Sequence, residues 1–273
     1  MATTEKKSLY EKFVFLFGKI EKRRRFIFST FILTALILFT TFFSFEEIPF
    51  LLPLVIGIVY IMTFFSILEG ITKKEWTMLF IHPVFFSTII YLFYFFLPQR
   101  WLTRLPFIAI YTISIYAILL SQNIFNVGVS KSLQLFRAAF SVNYLFLTIS
   151  AFFAYSLIIS LRMNPFMNFI LVFLSSYPLA LQFLWSISPS DTIEKSIIRL
   201  SFLIALILGE GALILSFIPV NQSIFALTLT SVFYCLCGLI QTYIQETLFK
   251  ERIREYIFVL IFTLVIFILS LRW

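Results

Sequence analysis

Charge is scarce in this sequence, and so are the residues that carry metal and thiol chemistry. Asp, Glu, Lys and Arg make up 12% of 273 residues, beside one histidine and two cysteines. That set cannot complete a tetrahedral Cys/His site. Cys235 and Cys237 stand two apart on a predicted helix, so their side chains diverge by about 200°, which excludes a shared metal and a disulfide between them. No lysine falls inside a long apolar run, which excludes a retinal Schiff base, and a lone histidine argues against paired haem ligation. The chain has no Walker loop, no paired-Asp motif of prenyl or alcohol-phosphate transferases, and no Gly-Ser plus His pair of rhomboid proteases. Neither a cofactor nor a metal is expected. Glycine is also sparse, 7 residues against 38 phenylalanines, which points to bulky helix contacts rather than small-residue interfaces.

Apolar length is what the chain has in abundance. Hydrophobic residues make up 61% and mean hydropathy is +1.01, beyond what a soluble core needs. A bilayer core about 30 Å thick takes about 20 apolar residues per helix, and the sequence predicts nine such spans: Phe26–Phe45, Pro49–Leu68, Thr77–Leu97, Leu105–Ser121, Ala138–Leu161, Phe166–Ile187, Ile197–Ile218, Ser223–Ile244 and Tyr256–Leu271. The last would cover only about 24 Å and needs Tyr256 and Trp273 as interfacial anchors; without it the count is eight. The predicted fold is all-α, a polytopic bundle of membrane helices.

Seventeen of the 21 Lys and Arg fall in the tail and in alternate gaps, which predicts a cytoplasmic N-terminus, an external C-terminus and a bacterial inner membrane. The gaps are too short to hold a soluble domain. The organisation expected is therefore a basic segment, 1–25, followed by a single transmembrane domain, 26–273, whose first helix is an uncleaved anchor. In the basic segment Leu9, Phe13, Leu16, Phe17 and Ile20 recur at helical spacing opposite Glu11, Lys12, Lys19 and Lys22. This predicts an interfacial helix that, with Lys22, Arg23, Arg24 and Arg25, lies on anionic lipid headgroups; the other reading is an arm that binds a membrane protein partner. Net charge of +8 thus speaks for topology and lipid, not nucleic acid.

Three groups of residues could carry chemistry. Glu210, between Gly209 and Gly211, is the deepest ionisable residue of a predicted span. A carboxylate near mid-membrane costs about 2.5 to 3.5 kcal/mol, so it is read either as an ion- or proton-coupling residue, with the glycines admitting a close neighbour, or as a neutral acid bonded to a neighbouring helix. Glu69 and His82 flank a short loop between the second and third spans and could act together in acid–base work, with Arg137 nearby; alternatively His82 is structural. The polar stretch from Gln122 to Arg137 places Asn123 and Asn126 on one helical face, ahead of Lys131 and Arg137. It is read as a phosphate or headgroup contact, or as a connector whose amides cap helix ends.

The run Gln122, Asn123, Ile124, Phe125, Asn126, Val127, followed by Leu133, Leu135, Arg137, Ala138 and Ala139, resembles a stretch of uncharacterised bacterial multi-pass membrane proteins. The resemblance spans about 18 residues of the sequence and implicates Asn123, Asn126 and Arg137 without implying an activity. Glu46 and Glu47 are similar to the paired glutamates of membrane prenyl-endopeptidases, but the following Arg and the further histidines are missing. Three functional expectations follow. The leading one is a non-enzymatic membrane component acting through partner or lipid contacts. The second is a small transporter with Glu210 as its coupling residue, which requires a polar cavity reaching that residue. The third is a lipid- or glycolipid-modifying enzyme, which requires Glu69, His82 and Arg137 to converge.

Overall fold

The computed structural model describes residues 20–68, 77–98, 100–127, 133–246 and 250–271. Glu69, Lys131 and the interfacial helix predicted ahead of Ile20 lie outside them. Among the described residues every regular element is helical: α1 (Lys22–Thr40), a 3₁₀ turn (Phe45–Glu47), α2 (Ile48–Ile67), α3 (Thr77–Tyr94), α4 (Trp101–Val127), α5 (Leu133–Ser160), α6 (Pro165–Ile187), α7 (Lys195–Leu215), α8 (Gln222–Ile244) and α9 (Lys250–Ser270). Eight of these, α2 to α9, are long and apolar enough to cross a membrane. The chain is an all-α, multi-pass membrane protein.

The two ends of the chain differ from the sequence-based expectation. α9, the span predicted to be marginal, extends back to Lys250 and qualifies. α1 does not. Predicted to run to Phe45, it stops at Thr40, where the Thr40 and Thr41 hydroxyls donate to the Ile37 and Leu38 carbonyls at 2.7 and 2.6 Å, and the Ser44 backbone N–H, donating to the Glu47 carboxylate at 3.2 Å, starts the next turn. Its other end begins with Lys22, Arg23, Arg24 and Arg25, leaving an apolar stretch of about 22 Å at 1.5 Å per residue.

The middle of the chain also differs. α4 starts before Leu105 and runs past Ser121 to Val127, and α5 starts at Leu133, so most of the predicted Gln122–Arg137 connector is helix. The apolar run marks only the part of a helix in hydrocarbon. Beyond it the chain keeps its backbone hydrogen bonds by continuing the helix through polar residues. Sharp ends do occur where capping residues stand. Between α5 and α6 the chain turns at Arg162 (φ 50°), and Asn164 accepts the Met167 N–H at 2.7 Å with Pro165 in the first turn.

α5 is the hub, packing on α3, α4, α6 and α8, while α6 and α7 share the most extensive contact. One apolar core joins α1 to α4 through Leu33, Val59, Phe86 and Ile118; the other joins α3 and α5 to α8 through Leu147, Leu179, Leu208 and Phe233. α9 is peripheral. It packs chiefly on α8 and buries only Tyr256 and Thr263.

Candidate functional site

Two consecutive residues of α5, Asn143 and Tyr144, turn to different sides of the helix and open two different polar environments. Asn143 is fully buried at the centre of a closed ring of carboxamides. Gln122 of α4 donates to Asn143 Oδ1 at 3.0 Å, Asn143 Nδ2 donates to Gln182 Oε1 of α6 at 3.2 Å, and Gln182 Nε2 donates back to Gln122 Oε1 at 3.2 Å. Each amide is at once donor and acceptor, an arrangement in which hydrogen bonds strengthen one another. His82 of α3 joins through Nδ1, 2.7 Å from Asn143 Oδ1. Because that oxygen only accepts, Nδ1 is the donor. Nε2 is buried without a hydrogen-bond partner, with the Phe146 backbone acting on the ring as its other polar neighbour. Ser186 closes the edge, accepting from Asn143 Nδ2 at 3.4 Å and donating to the Phe183 carbonyl at 2.7 Å. Four helices are tied together here by side-chain hydrogen bonds.

Tyr144 faces a cleft of about 430 Å³ between α5, α8 and the first turns of α9. Its ring stacks on Tyr234 with centroids 5.0 Å apart and planes at 9°, its hydroxyl donates to the Tyr234 carbonyl at 2.5 Å, and Tyr234 in turn meets Tyr256 at 5.7 Å. Gly238 makes this possible: a Cβ there would overlap the Tyr256 ring. Polar groups fill the mouth. Gln241, Thr242, Gln245, Ser141 and Arg252 line it together with Phe140 and Leu145. Arg252 contacts Glu255 at 3.4 Å, with both side chains more than half exposed, a pair worth little and easily opened. Half apolar and half polar, the cleft suits an amphiphile.

The residues singled out from sequence are not brought together. Arg137 is exposed and His82 is buried, with no hydrogen bond between them among the described residues; Glu69 lies outside those residues. Asn123 and Asn126 are half-buried on the last turns of α4. Glu210 is exposed on the outer side of α7, not inside the bundle. Its glycines serve the chain itself: a Cβ at Gly209 would meet Phe169 of α6 at 3.0 Å, and one at Gly211 would meet Leu229 of α8 at 3.2 Å. At the start of α1, Arg23 and Arg24 are exposed, Arg24 contacting Glu21 at 3.2 Å, and Lys22 is half-buried. Arg25 is 1% exposed, on the inward face of α1 beside Phe26 and Ser29.

Sequence reasoning passed over Asn143, Gln182 and Arg252. The signal was present for the first two, since each is a carboxamide inside an apolar run, where a polar side chain needs a partner. No three His, Cys, Asp or Glu side chains converge among the described residues. The profile of a family described as "Protein of unknown function" (DUF5656) matches residues 133–270, just over half of the chain, from the first residue of α5 to the last of α9. Every residue lining the cleft falls inside the match; His82 and Gln122 fall outside. No curated protein and no solved structure matches the chain.

Proposed function

From the premise that the chain belongs to the DUF5656 family, whose function is unknown, we propose that it is a non-enzymatic membrane component acting through lipid contacts, and that the cleft between α5, α8 and α9 takes the polar end of a membrane lipid. The observation that carries this reading is the lining of the cleft: three tyrosines in a row, two of them stacked, and apolar side chains together with amides and the exposed Arg252, all within the family match. Tyrosine and arginine in that order are the anchors of a membrane–water interface. The charge asymmetry of the loops supports a mouth at the cytoplasmic face of a bacterial inner membrane, with the N-terminus on the same side and the C-terminus outside, an orientation that requires the shorter α1 to cross as well. Arg23 and Arg24 at the start of α1 add a second, weaker contact with anionic headgroups. The test is the lipid content of the protein purified in mild detergent. About one lipid per chain is expected to survive in the wild type and to be lost in an Arg252→Gln, Gln245→Ala double variant of unchanged thermal stability. Equal lipid content in both would overturn the reading.

A further inference from the structure

We infer that the cleft is the head end of a longer site for one diacyl phospholipid, whose acyl chain runs along α5 into an apolar cavity between α3, α4 and α5. This rests on the reading that the cleft takes a lipid head. That cavity has a volume of about 520 Å³ and is lined by Phe86, Phe93, Phe107, Ile149, Phe152 and Phe153, among others. It adjoins the cleft: Thr148 lines both. From Phe140 at the cleft to Phe153 in the cavity, α5 rises about 20 Å, close to the thickness of about 20 to 22 Å that one leaflet has with its headgroups.

The polar groups of the cavity identify what fits. Ser114 and Thr148 donate to the Ile110 and Tyr144 carbonyls of their own helices, and the Tyr111 hydroxyl is 2.9 Å from Ser87 Oγ. Nothing there is left for a polar ligand, so hydrocarbon is the occupant. The exception is on α8. Thr230 of α8 lines the cavity, is 7% exposed and leaves its hydroxyl without a partner; a lipid ester carbonyl supplies the missing acceptor. At the mouth, Arg252 presents a guanidinium to the phosphate, while Glu255 beside it opposes a purely anionic headgroup and accepts an ammonium. The headgroup class is therefore phosphoethanolamine.

The test uses the full chain reconstituted in bilayers of phosphatidylethanolamine and phosphatidylglycerol, with a trace of phosphatidylethanolamine carrying a diazirine midway along one chain. Photolysis and peptide mapping should place at least fivefold more label on residues 146–153 than on the lipid-facing surface of α9. Label spread evenly over α7, α9 and α5 would mean annular lipid only and would overturn the inference without needing a variant. Thr148→Trp, which fills the junction, should cut the label at 146–153 at least fivefold. If Thr148→Trp leaves that label unchanged while Arg252→Gln still abolishes lipid retention, the chain site fails and the head site stands. If neither variant changes retention, both fail. Retention of phosphatidylglycerol equal to that of phosphatidylethanolamine would overturn the headgroup assignment.

Discussion

Asn143 and Tyr144 are neighbours on one helix at one depth, yet the polar groups around them are arranged in opposite ways. Around Asn143 three amides close on themselves and admit His82 and Ser186 at the edge. Around Tyr144 the polar groups stop at a mouth, and the charged pair of Arg252 and Glu255 stays exposed. A ring whose amides bond one another spends its hydrogen bonds on holding helices in place. An open cleft contributes little to holding helices and keeps its capacity for a partner. Polarity inside a membrane protein is therefore not by itself a sign of function; what decides is whether the polar groups satisfy one another.

The comparison breaks most visibly at Asn143. Asn143→Ala leaves Gln122, Gln182 and His82 each short of a partner, and it should cost on the order of 3 kcal/mol, read as a lower unfolding temperature with lipid retention per folded molecule unchanged. A loss of lipid without loss of stability would mean that the ring is not the closed structure described here. The triple variant Gln122→Leu, Asn143→Leu, Gln182→Leu sharpens the same point. Removing all members together leaves no stranded amide, so it should be less destabilised than the three single variants summed, as a mutant cycle will show. Gly238→Ala forces the Tyr256 ring aside and should cost about 1 to 3 kcal/mol, loosening α9 first, which hydrogen exchange of residues 250–263 would report. Tyr144→Phe removes one hydroxyl bond and should cost about 1 kcal/mol or less. Smallest of all is Arg252→Gln, whose exposed pair predicts a stability change within about 0.5 kcal/mol despite full loss of retained lipid.

The positions of the helices were legible because apolar length is a direct response to hydrocarbon thickness. Their ends were less so: the polar turns of α4 through Gln122 and Asn126 read as a connector, although a membrane chain saves its backbone bonds by staying helical there. The sites were harder, because hydropathy says how deep a residue lies and not which way it points. Glu210 shows the difference. It was read by its depth in the apolar run, yet it faces away from the bundle, and the clue was its own neighbours. Residues 209 and 211 lie about 200° apart around a helix, so two glycines packed against α6 and α8 aim the residue between them outward. Asn143, Gln182 and Gln122 each carried the mark of a buried amide, but only the rotation of three helices makes them a ring. Arg252 looked like one more loop charge until α9 began at Lys250 and brought it to the cleft.

Glu210 also bears on the bilayer itself. It stands five residues before the last residue of α7, about 7.5 Å along the axis, with exposed Phe202, Ile207, Ile214 and Phe217 around it. A carboxyl group held among acyl tails is relieved by water and headgroups sinking to meet it. The leaflet beside α7 should then be thinner and wetter than the leaflet beside α9, whose exposed surface is apolar from Ile257 to Leu269. The protein would sit in its membrane with one shallow flank, and Glu210→Leu should level it.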